Sequence, residues 1–513
     1  MTQSAEHMTE EQEVASEPGL LAGVARHSLV YAVGMIIGRA VSFLMLPIYT
    51  RFLTPADYGV MALVEMTLDF ISIIAGARLA LGLFRYYHKA DNPQDQNDII
   101  STSFLLIGIM YTIVGAITFL AAAPLAQLVF GSGEHTLLFR VAAINVALGA
   151  LSIIPFSLAR VQDRSLLFVG MNLLKLVLQV TFVLLFLVVM RLGVLGVFLA
   201  TLVANLMVGG AMTFWLFRRV RLSWTGGAAR DLLRYGVPLM ATQIATFATT
   251  FSDRFFLQVW ADEAVVGLYN LAYQFGFIMV MVGYGPIEQI WGPKRFAIAK
   301  QPNSDDILSR GFLLINVVMI SVAVAIALFV KDLLRIMATP DFHSAYQVVP
   351  LILLAYILAS WATIQDIGVL VREKTKYIAI ANFVVALAAI FGYFIFIPRF
   401  FEWGAAGVTL VAFALQFALV YWFSQRLWRV NYRWKPVLLL IGWAAAVVVF
   451  GILLPDMPIV SSILVRSGLG LSFLGGIWLL PILGAEDKQF GMTLAKSFLA
   501  RVRALSRPTV GGS

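Results

Sequence analysis

Apolar runs of 18 or more residues follow one another along nearly the whole chain, separated by short turns where Lys, Arg, Pro and Gly gather. A run of that length, wound as a helix rising 1.5 Å per residue, crosses the hydrocarbon core of a bilayer. The pattern predicts spans near 28–50, 58–77, 100–123, 137–158, 165–190 and 193–217. A second group falls near 235–256, 265–290, 309–330, 347–371, 377–398 and 404–425, and a last pair near 436–454 and 459–484. The expected fold class is all-α: a polytopic membrane protein with about 14 transmembrane helices, two lobes of six and two extra C-terminal helices.

Composition agrees with this reading and removes alternatives. Of 513 residues, 60% are apolar and 13% charged, against about 25% charged in soluble domains, and the mean hydropathy is +0.87. Too few residues remain outside the spans for a large extramembrane catalytic domain. There is no cysteine, hence no disulfide, thiolate metal site or cysteine nucleophile. The five histidines (His7, His27, His88, His135, His343) lie outside the apolar runs without ligand spacing, so neither metal nor cofactor is expected. No G-x-x-x-x-G-K-[ST] sequence occurs, which leaves no phosphate-cradling loop for nucleotide hydrolysis.

The net charge of +9 is informative through its distribution rather than as a sign of nucleic-acid binding. With the N-terminus inside, the inner connections collect 27 Lys and Arg and the outer ones 6. One missed or invented span would invert every later loop, so the asymmetry supports both the span count and cytoplasmic termini. Residues 1–27 are polar and acidic, which predicts a disordered cytoplasmic tail rather than a basic-headed leader. Beyond the last span, Phe490, Leu494, Phe498, Val502 and Leu505 recur at helical spacing beside Lys496, Arg501 and Arg503. This predicts a basic amphipathic tail over 485–513.

Two segments repeat. Thr54 to Leu63 (TPADYGVMAL) matches Asp262 to Leu271 (DEAVVGLYNL) at an offset of 208, placing Gly59 over Gly267. The basic turn before Asn172 matches the one before Asn382 at an offset of 210. Nearly equal offsets predict homologous six-span halves, 28–218 and 235–430, joined by a basic cytoplasmic linker over 219–234 and followed by the extra pair over 431–484. Six is even, so the halves share one orientation about an axis along the membrane normal.

Charged side chains inside the spans cost at least about 2.5 kcal/mol each and call for a reason. Arg39 stands at the midpoint of the first span, and Glu65 and Asp69 share one face of the second. Asn172, Lys175 and Gln179 form a stripe on the fifth, while Arg140 is nearer the outer end of the fourth. Arg39 either pairs structurally with Glu65 or Asp69, or joins Lys175 in a water-filled cationic cavity suited to a polyanion such as a pyrophosphate. The second half is chemically different: Gln243, Thr246, Thr250 and Asp253 on the seventh span, then Tyr269, Asn270, Tyr273 and Gln274. These suit sugar hydroxyls and pyranose faces, or equally helix–helix hydrogen bonds and an interfacial aromatic belt.

The stretch SLVYAVGMIIGRAVSFLMLPIYTRFLTPADYGVMALV, the LGLFRYY around Arg85, LLRYGVPLM, and DRFFLQVWADEAVVGLYNLAYQ resemble the bacterial oligosaccharide flippases of polysaccharide biosynthesis. These belong to the multidrug, oligosaccharidyl-lipid and polysaccharide exporter superfamily. The resemblance covers about residues 25–430. It implies two lobes flanking a central cavity and export, by alternating access, of undecaprenyl-pyrophosphate-linked oligosaccharide across the bacterial inner membrane. Polysaccharide polymerase and glycosyltransferases are the implied partners, and no enzymatic step is expected of the chain itself. In that frame Arg39 and Lys175 hold the pyrophosphate, Asn172, Gln179, Arg140 and Arg85 are further substrate-binding candidates, Gln243, Asn270, Tyr273 and Gln274 face the glycan, and Glu65 and Asp69 bind a coupling ion. The extra pair of spans is similar to that of the peptidoglycan-precursor flippases. A multidrug cation antiporter of the same superfamily and a membrane polymerase or glycosyltransferase are the competing readings.

Overall fold

The computed structural model describes residues 44–90 and 92–489, together with Gly38 and Val41. Arg39 and most of the first expected span, the acidic stretch over 1–27 and the amphipathic stretch beyond 489 lie outside the described residues. Every element within them is helical, as a chain surrounded by lipid requires to satisfy its backbone groups.

The first helices are α1 (Leu46–Phe52), α2 (Pro55–Ile74), α3 (Ala80–Tyr87), α4 (Pro93–Leu120), α5 (Ala122–Phe130), α6 (Thr136–Val161), α7 (Ser165–Val183) and α8 (Gly193–Phe217). There follow α9 (Gly226–Trp260), α10 (Glu263–Met279), α11 (Gly285–Ile298), α12 (Ser304–Met337), α13 (Val349–Ile364), α14 (Ile367–Val371), α15 (Lys376–Leu427), α16 (Trp434–Leu453) and α17 (Ile459–Leu479). Among the described residues, ten helices are long and apolar enough to cross a membrane. The protein is an all-α, multi-pass membrane protein.

The expected spans and these ten differ for physical reasons. The second expected span, 58–77, falls in α2, which carries Asp57, Glu65 and Asp69 and is not among the ten; it ends where Gly76 at φ +95° turns the chain into a short 3-10 segment, Ala77–Leu79, ahead of α3. Helix α9 runs for 35 residues but carries Arg230, Asp231, Arg234, Gln243 and Asp253, and is not among the ten. The 52 residues of α15 fold back on themselves at Phe401, whose φ of 45° and ψ of −125° break the helix. Its arms run antiparallel: Tyr377 stacks on Phe423 at 4.7 Å, and Gln416 Nε2 donates to Asn382 Oδ1 at 3.0 Å.

The repeated segments meet. Thr54 Oγ1 accepts from the Asp57 N–H and caps α2; Asp262 Oδ1 accepts from the Val265 N–H and caps α10. The capped helices then press together at equivalent residues. A Cβ on Gly59 would stand 1.9 Å from the Glu263 carbonyl oxygen, and one on Gly267 would stand 2.0 Å from that of Pro55. Both contacts carry the 208-residue offset, so the seam is self-complementary, as across a local two-fold axis. Gly59→Ala should therefore lower the thermal stability of the purified protein by about 1–3 kcal/mol, while Gly407→Ala, which meets nothing within 4 Å, should not. Equal melting of the two variants would mean that the helices part freely here.

The pair α16–α17 is fastened to α12 at both ends. Buried Asp332 accepts from Ser462 Oγ at 2.9 Å and lies 3.4 Å from Arg466. Asp456 pairs with Lys331 and Arg335 nearby, and at the far end Arg433 pairs with Asp306 at 2.7 Å.

Candidate functional site

Helices α2, α3, α4, α6, α7 and α8, with the turn after α2, line an open cavity of about 620 Å³. Helix α6 supplies Gly149, Ser152, Ile153, Phe156, Ser157 and Arg160; α7 supplies Phe168, Asn172 and Lys175; α8 adds Asn205 and α4 adds Tyr111. The break after α2 turns Ser72 and Arg78 toward it, and α3 closes that side with Ala80, Leu81 and Phe84. Among the described residues, three cations line the space and no carboxylate does.

These side chains are held in place in different ways. The Arg160 guanidinium sits 5.0 Å from the Phe84 ring and 5.5 Å from Phe168. Arg78 donates to Gln243 of α9 across the junction between the halves. Asn172 donates to the Phe168 carbonyl at 2.8 Å, Tyr111 to that of Ser72 at 3.4 Å, and Asn205 to Asn145 at 3.2 Å. Lys175 has no hydrogen-bond or ion-pair partner among the described residues, and the buried Ser152 hydroxyl has none either. A site with surplus positive charge and unspent donors is arranged for an anionic, hydrogen-bond-accepting ligand.

Of the residues singled out from sequence, Lys175 and Asn172 line this cavity, and Gln243 reaches its rim through Arg78. Gln179 instead donates to Thr201 at 3.3 Å. Arg140 is exposed, 5.8 Å from the Phe119 ring, and Arg85 lies 4.9 Å from the Tyr235 ring; neither lines the cavity. Glu65 and Asp69 are exposed on one face of α2, with Asp69 three residues before the cavity residue Ser72. Arg39 lies outside the described residues. Arg78, Arg160, Tyr111 and Asn205 were missed: the two arginines read as loop charges, and only the Gly76 break beside Arg78 hinted that the chain turns inward there.

The second half holds a closed polar cluster rather than an open one. Asp253 and Arg254 are fully buried and pair at 2.8 Å. Asp253 Oδ2 accepts from Tyr269 at 2.8 Å and Tyr273 at 3.0 Å, while Tyr393 shares a hydrogen bond with Thr409. Tyr273, expected to face a glycan, is wholly enclosed here because its hydroxyl is drawn onto Asp253 and its ring onto Arg254, 3.8 Å away. Gln274 donates to the buried Tyr58, and Asn270 is half-buried beside it in sequence. In this half Asp366 also pairs with Arg295, at 2.8 Å.

A family model described as polysaccharide biosynthesis protein matches residues 24–291. The lipid III flippase of Escherichia coli (strain K12) is 30% identical over 116 residues, 22% of this chain and 25% of that protein. The match thus spans a quarter of that relative. Among solved structures, a lipid II flippase, MurJ, in an inward closed conformation superposes with a TM-score of 0.69 at 12% identity, covering 88% of this chain and 98% of that one. An inward-facing multidrug resistance MATE family transporter of the MOP superfamily gives 0.61 at 15% identity over 79% and 97%. At those identities the likeness is one of fold.

Proposed function

This chain belongs to the polysaccharide biosynthesis protein family, a family of membrane transporters, and on that premise we propose that it flips undecaprenyl-pyrophosphate-linked oligosaccharide across the bacterial inner membrane. The reading takes fourteen crossings with both termini in the cytoplasm. The acidic α2, the polar α9, the two arms of α15 and the first span, added to the other apolar helices, make up that number. The lobes 28–218 and 235–430 alternate between inward and outward openings, carrying the headgroup while the polyprenyl tail stays in lipid. Polysaccharide polymerase and glycosyltransferases supply and consume the cargo.

The observation that carries the reading is the cavity lined by Arg78, Arg160 and Lys175 without a carboxylate among the described residues. A volume of about 620 Å³ is that of roughly 20 waters at ~30 Å³ each, suited to a diphosphate and its first sugar rather than a whole oligosaccharide. Ser152, Asn172, Asn205 and Tyr111 supply the neutral contacts. We assign coupling to Glu65 and Asp69, since an ion drives a cycle only by binding the two openings unequally.

The test is reconstitution into vesicles with a fluorescent polyprenyl-diphosphate sugar, reading how fast label in the shielded leaflet becomes accessible to a membrane-impermeant quencher. Rapid exposure that an imposed pH or Na⁺ gradient accelerates, and that Asp69→Asn makes indifferent to the gradient, is the expected result. Exposure no faster than in protein-free vesicles would overturn the assignment. A multidrug cation antiporter is disfavoured by the same cavity, because a lining that holds Arg78, Arg160 and Lys175, and no carboxylate among the described residues, repels a cationic drug.

A further inference from the structure

At the end of the first lobe that carries the basic turns, three arginines stand just outside the cavity. Asp163 takes a left-handed φ of 52° after α6 and swings the chain so that Arg164 leaves the helix exposed. Arg218 and Arg219 end α8, also exposed. Arg164 and Arg219, from different elements, both gather on one indole: their guanidiniums lie 5.9 and 4.8 Å from the Trp215 ring centre. Neither has an ion-pair partner among the described residues, although Asp163 is adjacent in sequence. Water weakens the repulsion between two exposed cations without removing it, so the convergence leaves two guanidiniums side by side for a negatively charged ligand.

This cluster is continuous with the cavity. Trp215 packs against Ala159, Val208 and Met212, and so do Phe156 and Phe168, which line the cavity. Phe168 in turn carries the cavity residue Arg160 at 5.5 Å, four positions before Arg164. Cationic groups therefore run from the membrane surface inward: Arg219 and Arg164 on Trp215, then Arg160 on Phe168, then Lys175.

We infer that Arg164 and Arg219, held on Trp215, form a surface station for a lipid-borne phosphate headgroup, where the diphosphate of the cargo is captured before it enters the cavity. The inference rests on the proposed flippase reading for the identity of the cargo and on the basic end facing the cytoplasm. Guanidiniums suit the task because their planar donors grip phosphate oxygens in pairs, while the indole beneath is at home at headgroup level. An anionic phospholipid presents the same phosphate chemistry and is the other source of ligand.

The full chain, reconstituted in phosphatidylcholine vesicles, separates the two. Chain-brominated phosphatidylglycerol should quench Trp215 more than chain-brominated phosphatidylcholine does, the Trp215 signal being the difference from Trp215→Phe. Inorganic pyrophosphate should relieve the excess, and the double variant Arg164→Gln with Arg219→Gln should remove it. Arg218→Gln, whose guanidinium sits over Phe214 at 4.5 Å instead, should leave it intact. In the transport assay the double variant should raise the KM for the diphosphate lipid about tenfold, ~1.4 kcal/mol, with kcat preserved. Equal quenching by both lipids in wild type would overturn the station. Excess quenching that pyrophosphate cannot relieve, with KM unchanged, would overturn capture of cargo and leave a phospholipid contact. The quenching arm needs no flipping, so it reads the station even if the proposed cargo is wrong.

Discussion

Lys175→Glu is expected to stop transport almost completely, and Lys175→Gln to slow it much less. The amine lines the cavity without a hydrogen-bond or ion-pair partner among the described residues, so its charge is available to the ligand. At an effective dielectric of about 20, a unit charge some 8 Å from another contributes roughly 2 kcal/mol, on the order of thirtyfold in rate or affinity. Removing the charge forfeits that amount. Reversing it doubles the change, on the order of a thousandfold, and places a carboxylate against the diphosphate as well as drawing Arg78 and Arg160 away from it. Lys175→Arg should retain most activity, because charge rather than shape is used. The measurement is the initial rate of label exposure in vesicles, normalised to inserted protein. Equal rates for the Glu and Gln variants would place Lys175 outside the ligand's path.

The sequence carries the helices more plainly than the site, and the reason lies in what each depends on. Hydrophobic runs are local, so the ends of α6 and α8, and of α7 together with the π-helical turn Leu184–Val189 that continues it, agree with expected spans to within a few residues. Departures occur where one residue's backbone overrides its neighbours: Gly76 ends the second span, and Phe401 reverses α15 within what remains hydrogen-bonded helix on either side. The 208-residue repeat was legible as a pairing of Gly59 with Gly267, but only coordinates reveal that the paired glycines touch. Lys175 and Asn172 were legible because a charge in mid-span is anomalous wherever it occurs. Arg78 and Arg160 were not, since an arginine next to a turn looks the same whether it points to water or folds back over Phe84. Tyr273 misled for the converse reason: an aromatic hydroxyl suits a sugar and a buried aspartate equally, and its partner Asp253 is 20 positions away on another helix.

The buried pair in the second lobe should prove expensive to break. Arg254 lies fully enclosed, with its Nη1 donating to Asp253 at 2.8 Å and to the Thr250 carbonyl at 2.7 Å and the guanidinium 3.8 Å from the Tyr273 ring centre. Its Nε and Nη2 have no hydrogen-bond partner among the described residues, so its stability here relies on Asp253 and the aromatic face. Arg254→Met would leave the Asp253 carboxylate buried with the backbone N–H of position 254 and the hydroxyls of Tyr269 and Tyr273 but no countercharge, and one unpaired buried charge costs about 3–5 kcal/mol. Asp253→Asn should cost a similar amount by stranding the guanidinium. Because desolvation offsets most of the attraction within such a pair, the double replacement Asp253→Asn with Arg254→Met should fall well short of the sum and lie closer to wild type. A cycle of thermal or denaturant unfolding on detergent-purified protein reads the coupling directly. Additive losses would mean that water reaches the pair; a large non-additive term would establish that α9, α10 and the arms of α15 are pinned together here, leaving Tyr273 as a strut within the lobe rather than a surface for sugar.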